Sequence, residues 1–351
     1  MFRNFGLKAS LLVVMVALCV GVPIANAEVE PLNWTSPTTE DPSSVFMVSA
    51  SDGWAVGGEG TIIHWDGTEW STMTSPTTAW LFDVFMVSAD DGWAVGDEGT
   101  IIHWDGTSWS NVTSPTTARL LSVHMVSADD GWAVGWYGTR RIIHWDGTEW
   151  STVTSPTTED FYSVFMVSTD DGWAVGGDWD RGTIIHWDGT EWSTMTSPTM
   201  SWLNSVFMVS ASDGWAVGGY GRIIHWDGTD WSNVTSPTTA QFLGDVFMVS
   251  ADDGWAVGAD GTIIHWDGTS WSNVTSPTTE HLGDVFMVSA DDGWAVGNYA
   301  CIRWTGTEWI PEFPTIVLMP LLISLTLVAV ILAKTASKKR RKPSLPSKTL
   351  L

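Results

Sequence analysis

Six histidines recur at intervals of 39 to 42 residues, each directly before a Trp-Asp-Gly segment: His64, His103, His144, His186, His225 and His265. Imidazole is a frequent zinc ligand, so several converging histidines would indicate a metal site. Equivalent positions of successive repeats, however, lie on different strands, so the histidines are kept apart from one another. We therefore expect each histidine to pack or to form a hydrogen bond, and we predict no metal site.

Acidic side chains are the second group that could do chemistry. The recurring turns Asp-Asp-Gly and Asp-Gly-Thr carry oxygen atoms that suit Ca²⁺. Hairpin formation already explains both turns, so we predict no cofactor, with calcium as the alternative. Paired carboxylates could also hydrolyse a glycosidic bond in so acidic a chain. That enzyme class stays open, although we predict no catalytic residue.

The charge of the chain falls into three parts. Residues 1–27 carry two bases and no acid, residues 28–315 hold all 40 acids with six arginines, and residues 334–351 carry seven bases and no acid. The net charge of −25 disfavours nucleic-acid binding, which needs a basic surface. A hydrophobic content of 44% disfavours disorder. With only two cysteines, Cys19 and Cys301, a disulfide scaffold is excluded.

The two ends of the chain are typical of targeting segments. Residues 1–27 contain the basic start, apolar stretch and Ala-Asn-Ala site of a secretory signal peptide, which predicts cleavage after Ala27. Residues 315–333 carry no charge and are long enough to cross a bilayer as a helix. The basic residues 334–351 follow and predict a cytoplasmic tail. We therefore expect a single-pass protein with its ectodomain outside the cell.

The segment Pro311, Glu312, Phe313 and Pro314, followed by the apolar span and the basic cluster, resembles the PEF-CTERM sorting signal of archaeal surface proteins. The resemblance implies that residues 311–333 comprise the motif and the span. It also implies that an archaeosortase removes the tail and that the product is attached to the cell envelope. A plain membrane anchor is the alternative.

Seven copies of a segment of about 40 residues fill the chain between these ends. The string Trp-Ala-Val-Gly begins at Trp54, Trp93, Trp132, Trp173, Trp215, Trp255 and Trp294. Each copy contains four short apolar or alternating stretches separated by turn residues, a pattern that indicates four strands. This period predicts an all-β, seven-bladed β-propeller over residues 28–310, with the repeated tryptophans as wedges between blades.

The two ends of the repeat region suggest how the ring closes. The seventh copy stops at Trp309 and lacks a full fourth strand, whereas residues 32–37 match that strand. We therefore expect the N-terminal segment to supply the outer strand of the last blade. An open solenoid is the alternative architecture, and it would end in polar caps.

The turn Asp-Gly-Thr-Xaa-Trp, for example from Asp66 to Trp70, resembles a shortened Asp-box. The repeats over residues 32–309 are thereby similar to the BNR/Asp-box propellers, including the photosystem II assembly-factor type. The resemblance implies a structural role for this turn. Sialidases, the best-known enzymes with Asp-boxes, need an arginine triad and a tyrosine nucleophile with its acid. The six arginines of the ectodomain fall in unrelated blade positions.

The copies differ mainly in two connections, the one before the first strand and the one between the second and third strands. In an up-and-down blade both lie on the same side of the disc, which we call the variable face. Aromatic residues and arginine are typical of recognition surfaces. The predicted ligand site comprises Trp136, Tyr137, Arg140, Arg141, Phe161, Tyr162, Trp179, Arg181, Trp202, Tyr220 and Arg222. Its arginines favour a carboxylate-bearing ligand.

Four asparagines, Asn33, Asn111, Asn233 and Asn273, each begin an Asn-Xaa-Thr sequon and are predicted glycosylation sites. Taken together, the sequence favours a non-enzymatic recognition or adhesion propeller on the outer face of the cell. We expect it to bind an envelope glycan or a surface protein through the variable face. An envelope scaffold without a specific ligand and a sialidase-like glycoside hydrolase are the alternatives.

Overall fold

The computed structural model describes residues 41–136 and 142–312, which form seven four-stranded sheets. The four strands of each sheet come from one repeat and pair in chain order, each antiparallel to the next. The predicted all-β, seven-bladed propeller is therefore confirmed.

The strands of blades 1 to 3 are β1 (Pro42–Ser49), β2 (Asp52–Gly57), β3 (Ile62–Trp65) and β4 (Trp70–Thr72); β5 (Leu81–Ser88), β6 (Asp91–Gly96), β7 (Ile101–Trp104) and β8 (Trp109–Asn111); and β9 (Arg119–Ser127), β10 (Asp130–Trp136), β11 (Ile142–Trp145) and β12 (Trp150–Thr152). Those of blades 4 and 5 are β13 (Phe161–Ser168), β14 (Asp171–Asp178), β15 (Arg181–Trp187) and β16 (Trp192–Met195); and β17 (Leu203–Ser210), β18 (Asp213–Gly218), β19 (Arg222–Trp226) and β20 (Trp231–Val234). Those of blades 6 and 7 are β21 (Leu243–Ser250), β22 (Asp253–Gly258), β23 (Ile263–Trp266) and β24 (Trp271–Val274); and β25 (Leu282–Ser289), β26 (Asp292–Gly297), β27 (Ala300–Trp304) and β28 (Trp309–Pro311). Short 3₁₀ turns occupy Gly58–Gly60, Asp97–Gly99 and Ala259–Gly261.

The turn between the third and fourth strands is held by its own aspartate. Asp66 Oδ1 accepts hydrogen bonds from the backbone N–H groups of Thr68 (2.8 Å) and Glu69 (2.9 Å) and from the Thr68 hydroxyl (2.6 Å). These bonds, that of the hydroxyl most, stabilise the carboxylate and lower the pKa of Asp66 to about 2. Gly67 has the positive φ of 89° that favours glycine. The same aspartate geometry recurs in blades 2 to 6, so the turn has the structural role that we expected.

Each of the six repeated histidines forms a hydrogen bond, as expected. His64 Nε2 lies 2.8 Å from Asp52 Oδ1, and the other five pairs are 2.7 to 2.8 Å apart. The imidazole ring of His64 also packs on Trp54, with centroids 4.3 Å apart. In blade 7, Arg303 takes this position and its Nε donates to Asp292 at 2.9 Å. The repeated histidines thus fasten the third strand to the first hairpin turn of the same blade.

Tryptophans interlock in groups of three between adjacent blades. Trp54 is 2% exposed, and its ring contacts Trp104 and Trp109 of blade 2 at centroid distances of 4.7 and 5.4 Å. Trp54 and Trp109 meet edge to face at 78°, a favoured geometry for aromatic rings. The same trio recurs at the other interfaces. The predicted tryptophan wedges are confirmed.

Two rings of side chains surround the propeller axis, one residue of each ring coming from the first strand of every blade. The aromatic ring has neighbouring centroids 4.5 to 4.9 Å apart and consists of Phe46, Phe85, His124, Phe165, Phe207, Phe247 and Phe286. Burial lowers the pKa of His124 to about 3, so its imidazole is neutral at physiological pH.

The second ring, the axial ring, is hydrogen-bonded from blade to blade. Each member accepts the N–H of a valine in the next blade at 2.6 to 3.4 Å. Its members are Ser44, Asp83, Ser122, Ser163, Ser205, Asp245 and Asp284. All seven interfaces are bridged in this way, so the axial ring is a closed circle of hydrogen bonds.

The last blade is complete without the N-terminal segment. The expectation that this segment supplies its outer strand was wrong, because β28 pairs with β27 and is itself the fourth strand. Trp309, 4% exposed, fills the place of the equivalent tryptophan in other blades. Three residues suffice because the fourth strand has only three or four residues in every blade. Residues 32–37 lie outside the described residues.

The ring is closed by non-covalent contacts between blades 7 and 1. The Val45 N–H donates to Asp284 Oδ2 at 2.6 Å. Trp294, which is fully buried, packs on Trp65 and Trp70 with centroid distances of 5.1 and 5.4 Å. We call this interface the seam, because within residues 41–136 and 142–312 no strand pairs across it.

Several expectations concern the ends of the chain. The cleavage site at Ala27, Phe313, the span 315–333 and the tail 334–351 lie outside the described residues. Within the described part, no helix is long and apolar enough to span a membrane. Pro311 ends β28, and Glu312, which is 7% exposed, donates its N–H to the Cys301 carbonyl at 2.9 Å. These two residues of the Pro-Glu-Phe motif therefore belong to the seventh blade.

Candidate ligand-binding site

The variable connections that the structure describes lie on one face of the propeller, as expected. They are joined by hydrogen bonds such as that from the Asp97 N–H to the Trp80 carbonyl and that from the Asn298 N–H to the His281 carbonyl, both 2.9 Å long. The large apolar side chains that are exposed within the described residues all lie in these connections: Trp80, Trp179, Met200, Tyr220 and Tyr299. The variable face therefore carries the exposed apolar surface of the propeller.

A cavity of about 640 Å³ opens on the variable face across blades 3 to 7. Five aromatic side chains line it: Trp136, Tyr162, Trp179, Trp202 and Phe242. Its polar groups include the carboxylates of Glu159, Asp160 and Asp178 and the imidazole of His281. A largely aromatic cavity of this volume with a few polar groups is typical of a ligand site.

Three aromatic rings pack together at the exposed edge of this site, and two of them, Trp179 and Trp202, line the cavity. Trp179, in the turn between β14 and β15, is 72% exposed, and its ring centroid lies 4.6 Å from that of Trp202 at an interplanar angle of 70°. Tyr220 also contacts Trp202, with ring centroids 5.4 Å apart and an interplanar angle of 62°. Gly219 makes this packing feasible, because a Cβ there would lie 2.8 Å from the Trp202 ring. We call Trp179, Trp202 and Tyr220 the aromatic corner.

Tyr162 forms an inner wall of the cavity. Its hydroxyl donates to the carbonyl of Gly177 at 3.0 Å. Burial raises the pKa of Tyr162, and the negative charges of Asp160, Asp178 and Glu159 raise it further. The Tyr162 hydroxyl is therefore neutral at physiological pH.

Two glycines line the cavity toward the axis. Gly244 and Gly283 take the position that holds Phe82, Leu121 and Tyr162 in blades 2, 3 and 4. The nearest atom to a Cβ built at Gly283 would be 3.7 Å away, so this position has room for a side chain. The missing side chain at Gly283 thus leaves space in this sector, whereas a Cβ at Gly244 would lie only 2.9 Å from the Gly283 carbonyl oxygen.

The charged groups that line the cavity, in the part of the chain that the structure describes, are carboxylates. The side-chain hydrogen bond between Asp180 and Asp178, and then the negative charge of Asp178, raise the pKa of Asp180. Burial lowers the pKa of His281, so its ring is neutral at physiological pH. Arg119 lies near the Trp136 ring, at 5.4 Å, but pairs with Asp97.

The structure brings together four of the residues predicted from sequence, Trp136, Tyr162, Trp179 and Trp202. Tyr220, which was also predicted, joins them through its contact with Trp202. Arg181 and Arg222 are exposed at the starts of β15 and β19 and do not line the cavity. Tyr137, Arg140 and Arg141 lie outside the described residues.

Phe161 differs from the expectation that it binds a ligand. It is fully buried, at the core position that Leu81 and Leu203 hold in their blades. Phe242 and His281, by contrast, line the cavity but were absent from the predicted site, and their rings lie 4.8 Å apart. Both precede a first strand, and this placement is the signal in the sequence that could have identified them.

Asn111, Asn233 and Asn273 are exposed on the outermost strands of their blades. Each side-chain amide donates to a proline carbonyl of the preceding blade at 2.9 to 3.1 Å. Asn33 lies outside the described residues. Among the described residues, no group of three or more His, Cys, Asp or Glu side chains is placed to bind a metal ion.

These features define a seven-bladed propeller with a cavity lined by aromatic side chains on one face. No protein-family model and no curated protein matches the sequence. Solved structures resemble it at low identity. YCF48 bound to D1 peptide has a TM-score of 0.64 at 18% identity, covering 78% of this chain and 95% of that one.

Two further structures show the same likeness. YCF48 from Cyanidioschyzon merolae has a TM-score of 0.62 at 16% identity, covering 76% of this chain and 96% of its own. The WD40 β-propeller domain of Doa1 has a TM-score of 0.64 at 14% identity, covering 76% and 92%. At these identities the likeness establishes the fold, and the expected similarity to the photosystem II assembly-factor type is confirmed at that level.

Proposed function

We propose that this protein is a non-enzymatic recognition propeller that binds a segment of another protein in the cavity of its variable face. The observation that carries the proposal is the gathering of five aromatic side chains around one cavity where the repeats diverge. Aromatic residues contribute most of the binding energy at the centres of many interfaces. The cavity also lies on the loops, where binding residues are commonly placed on a rigid scaffold.

The structural neighbours support a peptide as the ligand. One of them, YCF48, was solved with a bound D1 peptide. A glycan is the second candidate, favoured by the 72% exposure of Trp179, because a flat and accessible ring can stack on a sugar.

We also propose that the propeller acts outside the cell and is anchored in the envelope. The signal-like residues 1–27, the apolar residues 315–333 and the basic residues 334–351 support this placement. The Pro-Glu-Phe segment begins within β28, so processing by an archaeosortase would occur directly after the folded blades.

The double variant Trp179→Ala/Trp202→Ala is expected to lose ligand binding with little change in melting temperature, because Trp179 is exposed and Trp202 is half-buried. Full-length protein applied to a peptide array and a glycan array measures this. Tyr299→Ala is the matched control, since Tyr299 is 75% exposed on the same face and does not line the cavity. Peptide binding that survives the double variant contradicts the site. Binding to glycans alone identifies the second candidate, and the absence of any binding points to a scaffold.

Glycosylation of Asn33, Asn111, Asn233 and Asn273 is proposed for protein from the native host. Three of these side chains are exposed at the rim. A glycosylated amide retains one N–H, which can keep the hydrogen bond to the proline carbonyl of the preceding blade. Mass spectrometry of proteolytic peptides should show a glycan mass on each sequon. Four unmodified asparagines would refute the proposal.

A further inference from the structure

We infer that the bound peptide segment inserts one side chain with a primary amide group, asparagine or glutamine, into a pit on the propeller axis. The inference rests on the proposed function and deepens it by naming the residue that anchors the peptide. The pit has a volume of about 120 Å³ and adjoins the larger cavity of the variable face, with which it shares Tyr162, Asn204, Gly244 and Gly283. We call it the axial pit.

Every blade contributes two residues to the lining of the axial pit. One is its member of the axial ring, and the other is the residue directly before that member in the first strand. Because each first strand begins at the variable face, the earlier residue lies at the mouth of the pit and the axial ring forms its floor. The pit is thus enclosed by the first strands of the blades rather than by their variable connections.

The mouth of the axial pit is open on the side of blade 7. Bulky side chains occupy the mouth in blades 2 to 4, namely Phe82, Leu121 and Tyr162, whereas blades 6 and 7 have Gly244 and Gly283. A Cβ built at Gly283 would be 3.7 Å from the nearest atom, but one at Gly244 would lie 2.9 Å from the Gly283 carbonyl oxygen. Gly283, which lines both cavities, therefore provides the entrance through which a side chain of the ligand can reach the floor.

Donors and acceptors of hydrogen bonds lie together on the floor of the axial pit. The Ser163 hydroxyl oxygen accepts the Val206 N–H at 3.2 Å, and its own O–H proton remains a donor. Asp245 accepts the Val285 N–H at 3.0 Å, and its carboxyl group is hydrogen-bonded to that of Asp284. Burial raises the pKa of Asp245 well above its usual range, so this pair retains a proton and its remaining lone pairs accept hydrogen bonds.

A primary amide matches this floor better than other side chains of similar length. It carries two N–H donors and a carbonyl acceptor, whereas lysine only donates and a carboxylate only accepts. An apolar side chain would cover the polar floor without forming hydrogen bonds, which is costly. A volume of about 120 Å³ equals that of about four liquid water molecules, which is enough for the side chain of asparagine or glutamine.

The test applies the full-length protein to a library of acetylated and amidated nonapeptides in which one position is fixed and the others are mixed. Asparagine or glutamine should be selected at a single position. The selected peptide, remade with norleucine, lysine or glutamate at that position, should bind about tenfold more weakly, as measured by the ratio of Kd values. Gly283→Leu, which gives blade 7 the side chain that blade 3 has as Leu121, should reduce this ratio to about one, and Gly283→Ala should reduce it in part.

The matched control is Thr279→Leu, which adds a leucine at an exposed position of the connection before β25, outside the lining of both cavities. It should leave the amide preference unchanged, and thermal melts should show that the variants are folded; if Gly283→Leu does not fold, Gly283→Ala decides. The inference is overturned if another class of residue is selected, if the preference survives the substitution of Gly283, or if Thr279→Leu removes it as well. In each of these cases, loss of binding in Trp179→Ala/Trp202→Ala still supports the proposed function, whereas absence of binding to every peptide removes both.

Discussion

Replacing Trp294 with alanine is expected to lower the free energy of unfolding by about 3–5 kcal/mol, the loss typical of a deeply buried aromatic residue. Trp294 is fully buried at the seam, where it packs on Trp65 and Trp70 of blade 1. Urea denaturation of the full-length protein, followed by circular dichroism, measures the effect. Among the described residues no strand pairs across the seam, where the packing of Trp294 and the hydrogen bond from Val45 to Asp284 join blades 7 and 1.

Trp173→Ala is the matched control for this variant. Trp173 is 1% exposed and forms the same trio with Trp226 and Trp231, at 4.8 and 5.5 Å, between blades 4 and 5. Those two blades are consecutive in the chain, so a short connection keeps them together after the side chain is removed. The loss for Trp294→Ala should therefore exceed that for Trp173→Ala. Equal losses would show that the seam is no weaker than an internal interface.

The architecture could be predicted from the sequence because each repeat carries its own local signals. The seven Trp-Ala-Val-Gly strings predicted the number of blades, and the Asp-Gly-Thr turns predicted the last hairpin of blades 1 to 6. The error about closure has a physical cause. A three-residue strand such as Trp309–Pro311 has no visible alternation, so the match at residues 32–37 appeared necessary although the blade was already complete.

The candidate site was predicted only in part, because its formation depends on contacts between blades. Trp136, Tyr162, Trp179 and Trp202 stand out as departures from the repeat, and they meet in one cavity. The charge of that cavity could not be predicted. Whether an arginine or a carboxylate lines it depends on side-chain direction, which the repeat pattern does not encode.

Glycines were overlooked for a related reason. Gly283 carries no chemistry of its own, and its effect is the space left by an absent side chain beside His281. A sequence comparison among the repeats shows the change from bulky residues to glycine at this position. Only the propeller geometry shows that the vacant space joins the aromatic corner to the axis.

The axial ring connects closure to pH. Asp83 accepts the Val123 N–H at 2.8 Å and the Ser44 hydroxyl at 2.9 Å. Burial, then the nearby charge of Asp284, raise the pKa of Asp83 from 3.8 to about 7. Asp245 and Asp284 also have raised pKa values, mainly because of burial. A carboxyl whose pKa is raised on folding stabilises the fold at low pH, and this contribution is lost as pH rises from about 4 through 7.

Asp83→Asn is therefore expected to stabilise the propeller at pH 8 and to leave its stability nearly unchanged at pH 4. Asparagine imitates the protonated acid: it accepts from Val123, and the Ser44 hydroxyl can rotate to accept from its amide. Each pKa unit corresponds to about 1.4 kcal/mol, so the rise in the pKa of Asp83 limits the gain in the free energy of unfolding to about 4 kcal/mol. Because Asp83 is only half-buried and keeps some contact with water, we expect a gain of about 2–3 kcal/mol. Urea denaturation of both proteins from pH 4 to pH 8 gives the difference.

Asp66→Asn provides a control of opposite sign. The pKa of Asp66 is lowered to about 2 by its turn hydrogen bonds, so its charge stabilises the fold above about pH 4 and this contribution is lost as pH falls toward 2. Asp66→Asn should therefore destabilise the protein at pH 8, where Asp83→Asn stabilises it. If Asp83→Asn instead destabilises the protein equally at pH 4 and pH 8, the Asp83 carboxyl group stabilises the fold as a hydrogen-bond acceptor in both its protonated and its ionised form. The axial ring would then close the propeller without responding to pH.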